Sequence, residues 1–504
     1  GAPPGPPTSS YQLDTGTPFS GVYRQRRTGS ILADWDVFGS GYTLSFSTAL
    51  RDEFRRTGAD STHNAVNFWA PFAFGSGANA FLNSADAIDF EDYSVELRFA
   101  SPTDRAVRWM LGAFHYDLDQ QTRSANFNFP RGGPVVNETS DVINTAVFGL
   151  VEWKFAENWS ITTEGRYAEE KKALYTRNAA GALTYGDDAN FDKFTPRVTL
   201  GWQASDDIRL YAIYAEGNKP GGLNGANGLL ANPPVLEWKE ETSKNYELGA
   251  KAVWLDGRLV TNASVFFIDA KDVQLTTAVV PANPTSSSVS VVTNQGSAEV
   301  TGFELEAHWR PVDPLTLSLT YALADSEFTE GCDDFQWTLT SGGGVFNARN
   351  PTANNLNGQG NCSIKGNQLP MSAKHTGSLA IDWRQPIGAS GLEWFANADA
   401  SYTDKRYVQV HNLAYVPDAT VIGARLGVSG DNWTAAVYGR NLGDEDAPLV
   451  ATRWFTLPYG FAYPNQVPVA NRVTGADYGS PRALFGTLRR ERQVGVEFTY
   501  SYGN

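Results

Sequence analysis

The residues of this chain that could do chemistry are of types that hold a ligand; the groupings that break bonds do not occur. No G-x-S-x-G elbow, phosphate-cradling glycine loop, H-E-x-x-H or C-x-x-C is found in the 504 residues. The nucleophile, anion cradle and paired metal ligands that those spacings supply therefore have no counterpart. The five histidines, His63, His115, His308, His375 and His411, are isolated in sequence. Asp333-Asp334 and Asp444-Glu445-Asp446 have the oxygen chemistry of a Ca²⁺ site, but solvated loop charge is the plainer reading. The expectation is a protein that is not an enzyme and carries no cofactor and no metal. What remains is a set of rings and cations in three long connecting segments: Trp69, Phe72 and Phe74; Trp337 and Arg349; Arg453, Trp454 and Tyr459. Aromatic and polar groups on a concave surface are what ligand sites are made of, so these eight are the candidate binding residues. The competing reading is that the rings pack loops on one another or meet a membrane surface.

Cys332 and Cys362, the only two cysteines, lie in one Gly/Asn-rich connection. Their separation has no metal-ligand spacing, and in an oxidising compartment such a pair closes a loop. A disulfide is expected, contributing about 3–4 kcal/mol in the chain-entropy picture.

The elements that must carry these segments are strands. Seventeen extended stretches, from 20–38 to 489–502, are joined by sixteen connections that alternate between very short and long. Ten of the fourteen tryptophans lie within four positions of a short one: Trp35, Trp109, Trp153, Trp159, Trp202, Trp254, Trp309, Trp383, Trp394 and Trp433. Indole is apolar with a single N–H and favours a membrane–water boundary. The stretches alternate with period two: Thr301, Phe303, Leu305, Ala307 and Trp309 share one face, and Gly302, Glu304, Glu306, His308 and Arg310 the other. Many run to 14 residues or more, against the roughly 5–6 of soluble strands. The fold class expected is therefore all-β, an antiparallel transmembrane β-barrel with a Trp belt at the short-turn rim.

Composition agrees. A hydrophobic content of 41% with negative mean hydropathy suits a barrel, in which alternate residues alone face lipid. A net charge of −15 argues against a nucleic-acid partner. The chain opens on GAPPGPPTSS with no charged-then-apolar leader, so a leader is expected to have been removed or to lie upstream. Single-chain bacterial barrels have even strand numbers. Seventeen is odd, and counting back makes the first strand start from the long-loop side. The expectation is that 1–504 is the C-terminal part of one larger barrel, with at least one strand upstream.

Several segments resemble the TonB-dependent outer-membrane receptors. Tyr211–Asn224, YAIYAEGNKPGGLN, is similar to their strand-to-loop signature ending in Lys-x-Gly-Gly-x-Asn. Val300–Tyr321, VTGFELEAHWRPVDPLTLSLTY, resembles their Gly-Phe-Glu strand, Pro-containing turn and Leu-rich return strand. Tyr438–Glu445, YGRNLGDE, resembles their penultimate-strand Asn-Leu-x-Asp-Glu. Tyr93–Pro102 and Leu369–Leu379 also match, so the likeness runs from Phe90 to Tyr500, carried by the order of the motifs. It implies a barrel of about twenty-two strands with a plugged lumen, of which these would be the last seventeen. It implies an N-terminal plug and a TonB-binding box, both absent from this sequence, a bacterial outer-membrane location, lipid and the TonB energy-coupling complex as partners, and import of a scarce, bulky solute such as a ferric siderophore. Lumen charges such as Glu304, Glu306 and Arg166 would then meet the plug or water. The family usually ends in an aromatic residue, whereas this chain ends Tyr502-Gly503-Asn504. The rival readings are a passive porin-like channel, an outer-membrane enzyme or adhesin, and a soluble glycan-binding β protein.

Overall fold

The computed structural model describes residues 21–60, 82–128, 135–231, 233–279, 289–332, 363–412, 414–455 and 482–502. Seventeen strands pair antiparallel, each with the next along the chain, into one sheet. They are β1 (Gly21–Asp36), β2 (Thr43–Asp60), β3 (Leu82–Ala100), β4 (Val107–Asn128), β5 (Val135–Ala156), β6 (Trp159–Arg177), β7 (Leu183–Ser205) and β8 (Ile208–Lys219). Then follow β9 (Glu241–Trp254), β10 (Leu259–Lys271), β11 (Ser297–Val312), β12 (Leu315–Glu330), β13 (His375–Pro386), β14 (Glu393–Thr403), β15 (Ala419–Ser429), β16 (Trp433–Arg440) and β17 (Gln493–Tyr500). Among the described residues β1 pairs only with β2 and β17 only with β16, so both keep an unpaired edge.

The two faces of this sheet are the reverse of a soluble protein's. One face is aliphatic and open: Leu111 is 62% exposed, Val494 75% and Val496 82%. The other is polar and internally bonded. Tyr211 donates to Glu247 at 2.7 Å, Asn262 to Glu306 at 3.0 Å and Asn144 to Glu170 at 2.9 Å. Rows of exposed Val and Leu are stable against lipid, so the polar face is the inner one.

Each of the ten tryptophans sits within three residues of a strand end at a short turn. Neighbouring rings touch there: Trp159 stacks on Trp202 at 5.4 Å, Trp383 lies 6.1 Å from Trp394, and Trp433 stacks on Phe498 at 6.4 Å. A second belt lies eight residues up five of the strands, in the pairs Trp159/Tyr167, Trp202/Phe194, Trp254/Tyr246, Trp383/His375 and Trp394/Tyr402. An even spacing keeps both rings on the outer face. Eight residues rise about 27 Å along a strand, or about 20 Å along the normal at the usual tilt of about 40°, close to the ~25 Å apolar band of such barrels. The upper tyrosines keep their hydroxyls wet or bonded: Tyr167 donates to Asp192 at 3.2 Å, and Tyr321 meets His375 Nδ1 at 2.9 Å.

The inner wall has its own packing device. Among the described residues, five aromatic rings lie over glycines directly opposite on a neighbouring strand: Phe148 over Gly112, Tyr211 over Gly249, Phe266 over Gly302, Phe395 over Gly427 and Tyr438 over Gly495. Phe395, 2% exposed, is also held between the guanidinium groups of Arg384 and Arg425, 5.5 and 4.9 Å from its centroid, a favourable cation–π geometry.

All seventeen strands are where the sequence places them, but several ends differ. The stretch expected at 90–100 begins at Leu82, and the one at 191–204 begins at Leu183. Above the upper belt both faces are wet, so alternation fades while pairing continues. The stretch expected at 257–276 stops at Lys271 because Asp272 is left-handed, φ 55. The chain resumes as a separate hairpin, Gln274–Val279 with Val289–Asn294, and rejoins the sheet after Gly296, φ 82. The stretch at 391–408 ends at Thr403. That at 432–445 ends at Arg440, where Asn441 has φ 49.

The Gly302 contact gives a stability prediction. A Cβ there would stand 2.0 Å from Phe266 Cζ, so Gly302→Ala should destabilise the folded sheet by about 1–3 kcal/mol. The additional change Phe266→Leu should recover part of that loss. Urea unfolding in detergent, followed by tryptophan fluorescence, measures both.

Candidate functional site

The long connections all leave the sheet at the end opposite the Trp belt, and the candidate ligand residues belong to them. Trp69, Phe72, Phe74, Trp337, Arg349 and Tyr459 lie outside the described residues, as does Cys362. Arg453 and Trp454 fall on a strand, Val450–Phe455, that pairs with Arg482–Thr487 as a hairpin above β16 and β17; their side chains lie outside the description. Cys332 forms an isolated antiparallel bridge with Ser363, which brings the chain next to position 362 alongside it. No free cysteine occurs among the described residues.

What the structure adds is how these segments are anchored. Among the described residues, four asparagines each grip the main chain of a distant or turn residue with both ends of the amide, accepting its N–H and donating to its C=O. Asn224 holds Val292 at 2.7 and 2.8 Å. Asn294 holds Lys239 at 2.7 and 2.9 Å, and also reaches the carbonyl of Asp272 at 2.8 Å. Asn412 holds Gln368 at 2.7 and 2.9 Å, and Asn441 holds Glu445 at 2.8 and 2.9 Å. The side chain acts as one residue of a strand, satisfying two backbone groups that a loop would otherwise leave to water.

These grips explain two motifs. In Lys219-Pro220-Gly221-Gly222-Leu223-Asn224 the glycines let the loop lie against the inner wall. A Cβ on Gly221 would meet Phe191 Cε1 and the Trp238 carbonyl, each at 2.3 Å, and one on Gly222 would meet the Trp238 ring at 2.3 Å. Asn224 then fastens the loop to the hairpin after β10. In Asn441-Leu442-Gly443-Asp444-Glu445 the carboxylates are caps. Glu445 accepts from the backbone of Thr420 at 2.9 Å and of Ala447 at 3.0 Å, and Asp444 accepts from Arg492. Those N–H donors, Thr420's first, hold the Glu445 carboxyl below its ordinary value. Asn294 and Asn412 gave no sequence signal of their own.

An apolar knot completes the rim: Phe328 and Ala298 from the inner wall enclose Val273 and Ile364, with Leu369 and Val410 packed around them. It joins the chain after β10, the connection from β12 to β13 and that from β14 to β15. Lower down, the inner wall has a recess of about 420 Å³ lined by Tyr211, Glu247, Lys251, Asn262, Glu304 and Glu306. His308 is bonded beside it to Ser318 at 3.0 Å and Glu306 at 3.1 Å. Among the described residues no group of three His, Cys, Asp or Glu is placed to hold a metal.

Residues 2–442 match the family described as TonB dependent receptor-like, beta-barrel. The chain belongs to that family. Among curated proteins it is 29% identical to the pesticin receptor of Yersinia enterocolitica over 241 residues, 46% of this chain and 34% of that one. It is 23% identical to the ferric-pyoverdine M114 receptor PbuA of Pseudomonas sp. (strain M114) over 324 residues, 63% of this chain and 34% of that one. The ferric yersiniabactin uptake receptor FyuA from Yersinia pestis superposes with a TM-score of 0.68 at 17% identity, over 96% of this chain and 62% of that chain. The siderophore receptor PiuA from Acinetobacter baumannii gives 0.64 at 16%, over 95% and 64%. At such identity the solved structures speak for the fold alone. The chain spans about a third of the length of these curated relatives and less than two thirds of the solved receptors. It is an outer-membrane β-barrel protein, and its family and neighbours are transport receptors.

Two predictions concern the rim. Asn224→Ala should lower the local opening free energy of the Gln274–Asn294 hairpin by about 1–3 kcal/mol, seen as faster amide exchange at Val292 with the sheet core unchanged. Glu445, its folded value depressed below 4.5, contributes fully above about that pH and loses its contribution as pH falls through the depressed value. Acid should therefore loosen the 441–447 turn, and Glu445→Gln should flatten that dependence in thermal melts taken on either side of it.

Proposed function

We propose that this protein is the barrel of a TonB-dependent transporter that imports a scarce, bulky solute, a ferric siderophore or a comparable nutrient complex. The observation that carries this reading is the family match over residues 2–442, joined to relatives named as receptors for ferric pyoverdine and for pesticin. The rim supports it: described parts of the loops are fastened to one another by asparagine side chains, and the wall below is polar. The unpaired edges of β1 and β17 support reading the seventeen strands as part of a larger barrel, completed by strands and by a plug whose TonB-binding box draws on the inner-membrane proton gradient. The step is vectorial, without covalent chemistry.

In this reading Trp69, Phe72, Phe74, Trp337, Arg349, Arg453, Trp454 and Tyr459 contact the ligand from the loops. Cys332 bonds to Cys362, which the Cys332–Ser363 bridge favours. Non-reducing mass analysis should find a chain two hydrogens lighter than the dithiol.

Ferric pyoverdine and ferric yersiniabactin are the first probes. One of them should quench tryptophan fluorescence of the purified protein at micromolar concentration or below. Trp454→Ala and Trp337→Ala should each weaken that binding by about 1–3 kcal/mol. Uptake by cells should stop when the proton gradient is collapsed, with binding unaffected. Steady conductance in a planar bilayer, with gradient-independent uptake, would instead establish a passive channel.

A further inference from the structure

Most arginines on the inner face of the sheet are neutralised by a carboxylate. Arg51 pairs with Asp92 and Arg108 with Glu152, while Arg384 lies 3.2 Å from Asp382 and Arg425 2.6 Å from Glu497. Three on one side of the sheet, Arg55 of β2, Arg166 of β6 and Arg209 of β8, form no ion pair among the described residues. Two of these lie on aromatic rings instead. The Arg55 guanidinium is 5.6 Å from the centroid of Phe90, and that of Arg166 is 5.4 Å from Phe114 and 5.7 Å from Phe148. Arg166 also donates to the neutral amide of Asn144 at 3.4 Å. A ring fixes a cation in place but has no net charge, so the positive charge stays uncompensated. Arg209 stands directly opposite Lys251 on β9, and like charges so placed repel.

The three stand at different heights. Arg209 is next to Leu210, which is opposite Trp202, at the short-turn rim. Arg166 is seven residues beyond Trp159, and Arg55 is eleven beyond Leu44, which is opposite Trp35. Each odd spacing from an outward row turns the side chain inward. At the usual rise and tilt, Arg166 lies about 18 Å above the rim and Arg55 about 28 Å. Past β9 the wall changes sign. Glu304 of β11 lines the inner recess, and Asp399 is four residues along β14 from the inward Phe395. Neither forms an ion pair among the described residues. We propose that the imported solute has net negative charge and descends along the β2–β8 wall, held in turn by Arg55, Arg166 and Arg209, while Glu304 and Asp399 repel it from the wall beyond β9. The inference rests on the transport reading and adds to it the charge of the cargo and its side of the lumen. A ferric chelate with ionised carboxylates has that charge; a cationic complex would be turned away by the same arginines.

The test uses pyrene tetrasulfonate, a compact tetra-anion, added at low ionic strength to the full chain purified in detergent and followed by fluorescence anisotropy. Wild type should bind it, with affinity falling as salt is added. Arg55→Gln, Arg166→Gln and Arg209→Gln should each weaken binding about two- to fivefold, the range of exposed charge pairs. Together they should weaken it about tenfold or more. Arg166→Lys, which keeps a cation over the rings, should bind as wild type does, separating loss of charge from loss of packing. Glu304→Gln, on the wall of opposite sign, should not weaken binding. Unchanged heat-modifiable migration on a gel checks folding, and the single variants serve if the triple one fails that check. Wild type that does not bind the probe, folded arginine variants that bind as wild type does, or an equal loss in Glu304→Gln would overturn the proposal. Binding of the probe needs neither TonB nor a proton gradient. Its failure therefore counts against the arginine path alone, whereas gradient-independent uptake counts against the transport reading.

Discussion

The constraint on which everything else depends is that peptide groups in hydrocarbon must be bonded within the protein. A sheet meets it where each strand finds a neighbour on both sides, as fifteen of the seventeen do among the described residues, in chain order and without crossovers. Once the backbone is satisfied this way, side chains are left with two surfaces of opposite character. Exposed valines and leucines then become favourable, and a carboxylate such as Glu304 can sit on the inner wall because that side is wet and bonded. The reversal that would be fatal in water is here the ground state.

The membrane also sets the vertical scale. Trp159 and Tyr167 are eight residues apart on one strand, and so are Trp254 and Tyr246 on another, because one slab of lipid spans both. Beyond the upper belt no such rule applies. β7 can run for 23 residues while β16 stops after eight, the difference being extension into water. Glycines facing aromatic rings on the inner wall add a third regularity: a ring laid over a glycine keeps the wall smooth and fills the gap between strands.

This explains what was legible in the sequence. The strands and the Trp belt were, because lipid on one face imposes a pattern that local residues record. The start of β3 was not, since Asn83, Asp86 and Asp89 stand above the belt, where either face may be polar. The break at Asp272 was hidden because a left-handed aspartate looks like any other aspartate. Glu445 read as loose loop charge and proves to be a cap, since its partners are backbone N–H groups that no sequence displays. The rings expected to meet the ligand, Trp69 and Trp337 among them, lie in segments where periodicity has nothing to say; aromatic content alone singled them out.

The asparagine grips have a consequence for how such a receptor changes over generations. Val292, Lys239 and Gln368 are held by their N–H and C=O, which every residue except proline provides. The grip therefore constrains one position and frees its partner. The sequence around Val292, Lys239 and Gln368 can therefore change while each segment stays fastened to its asparagine.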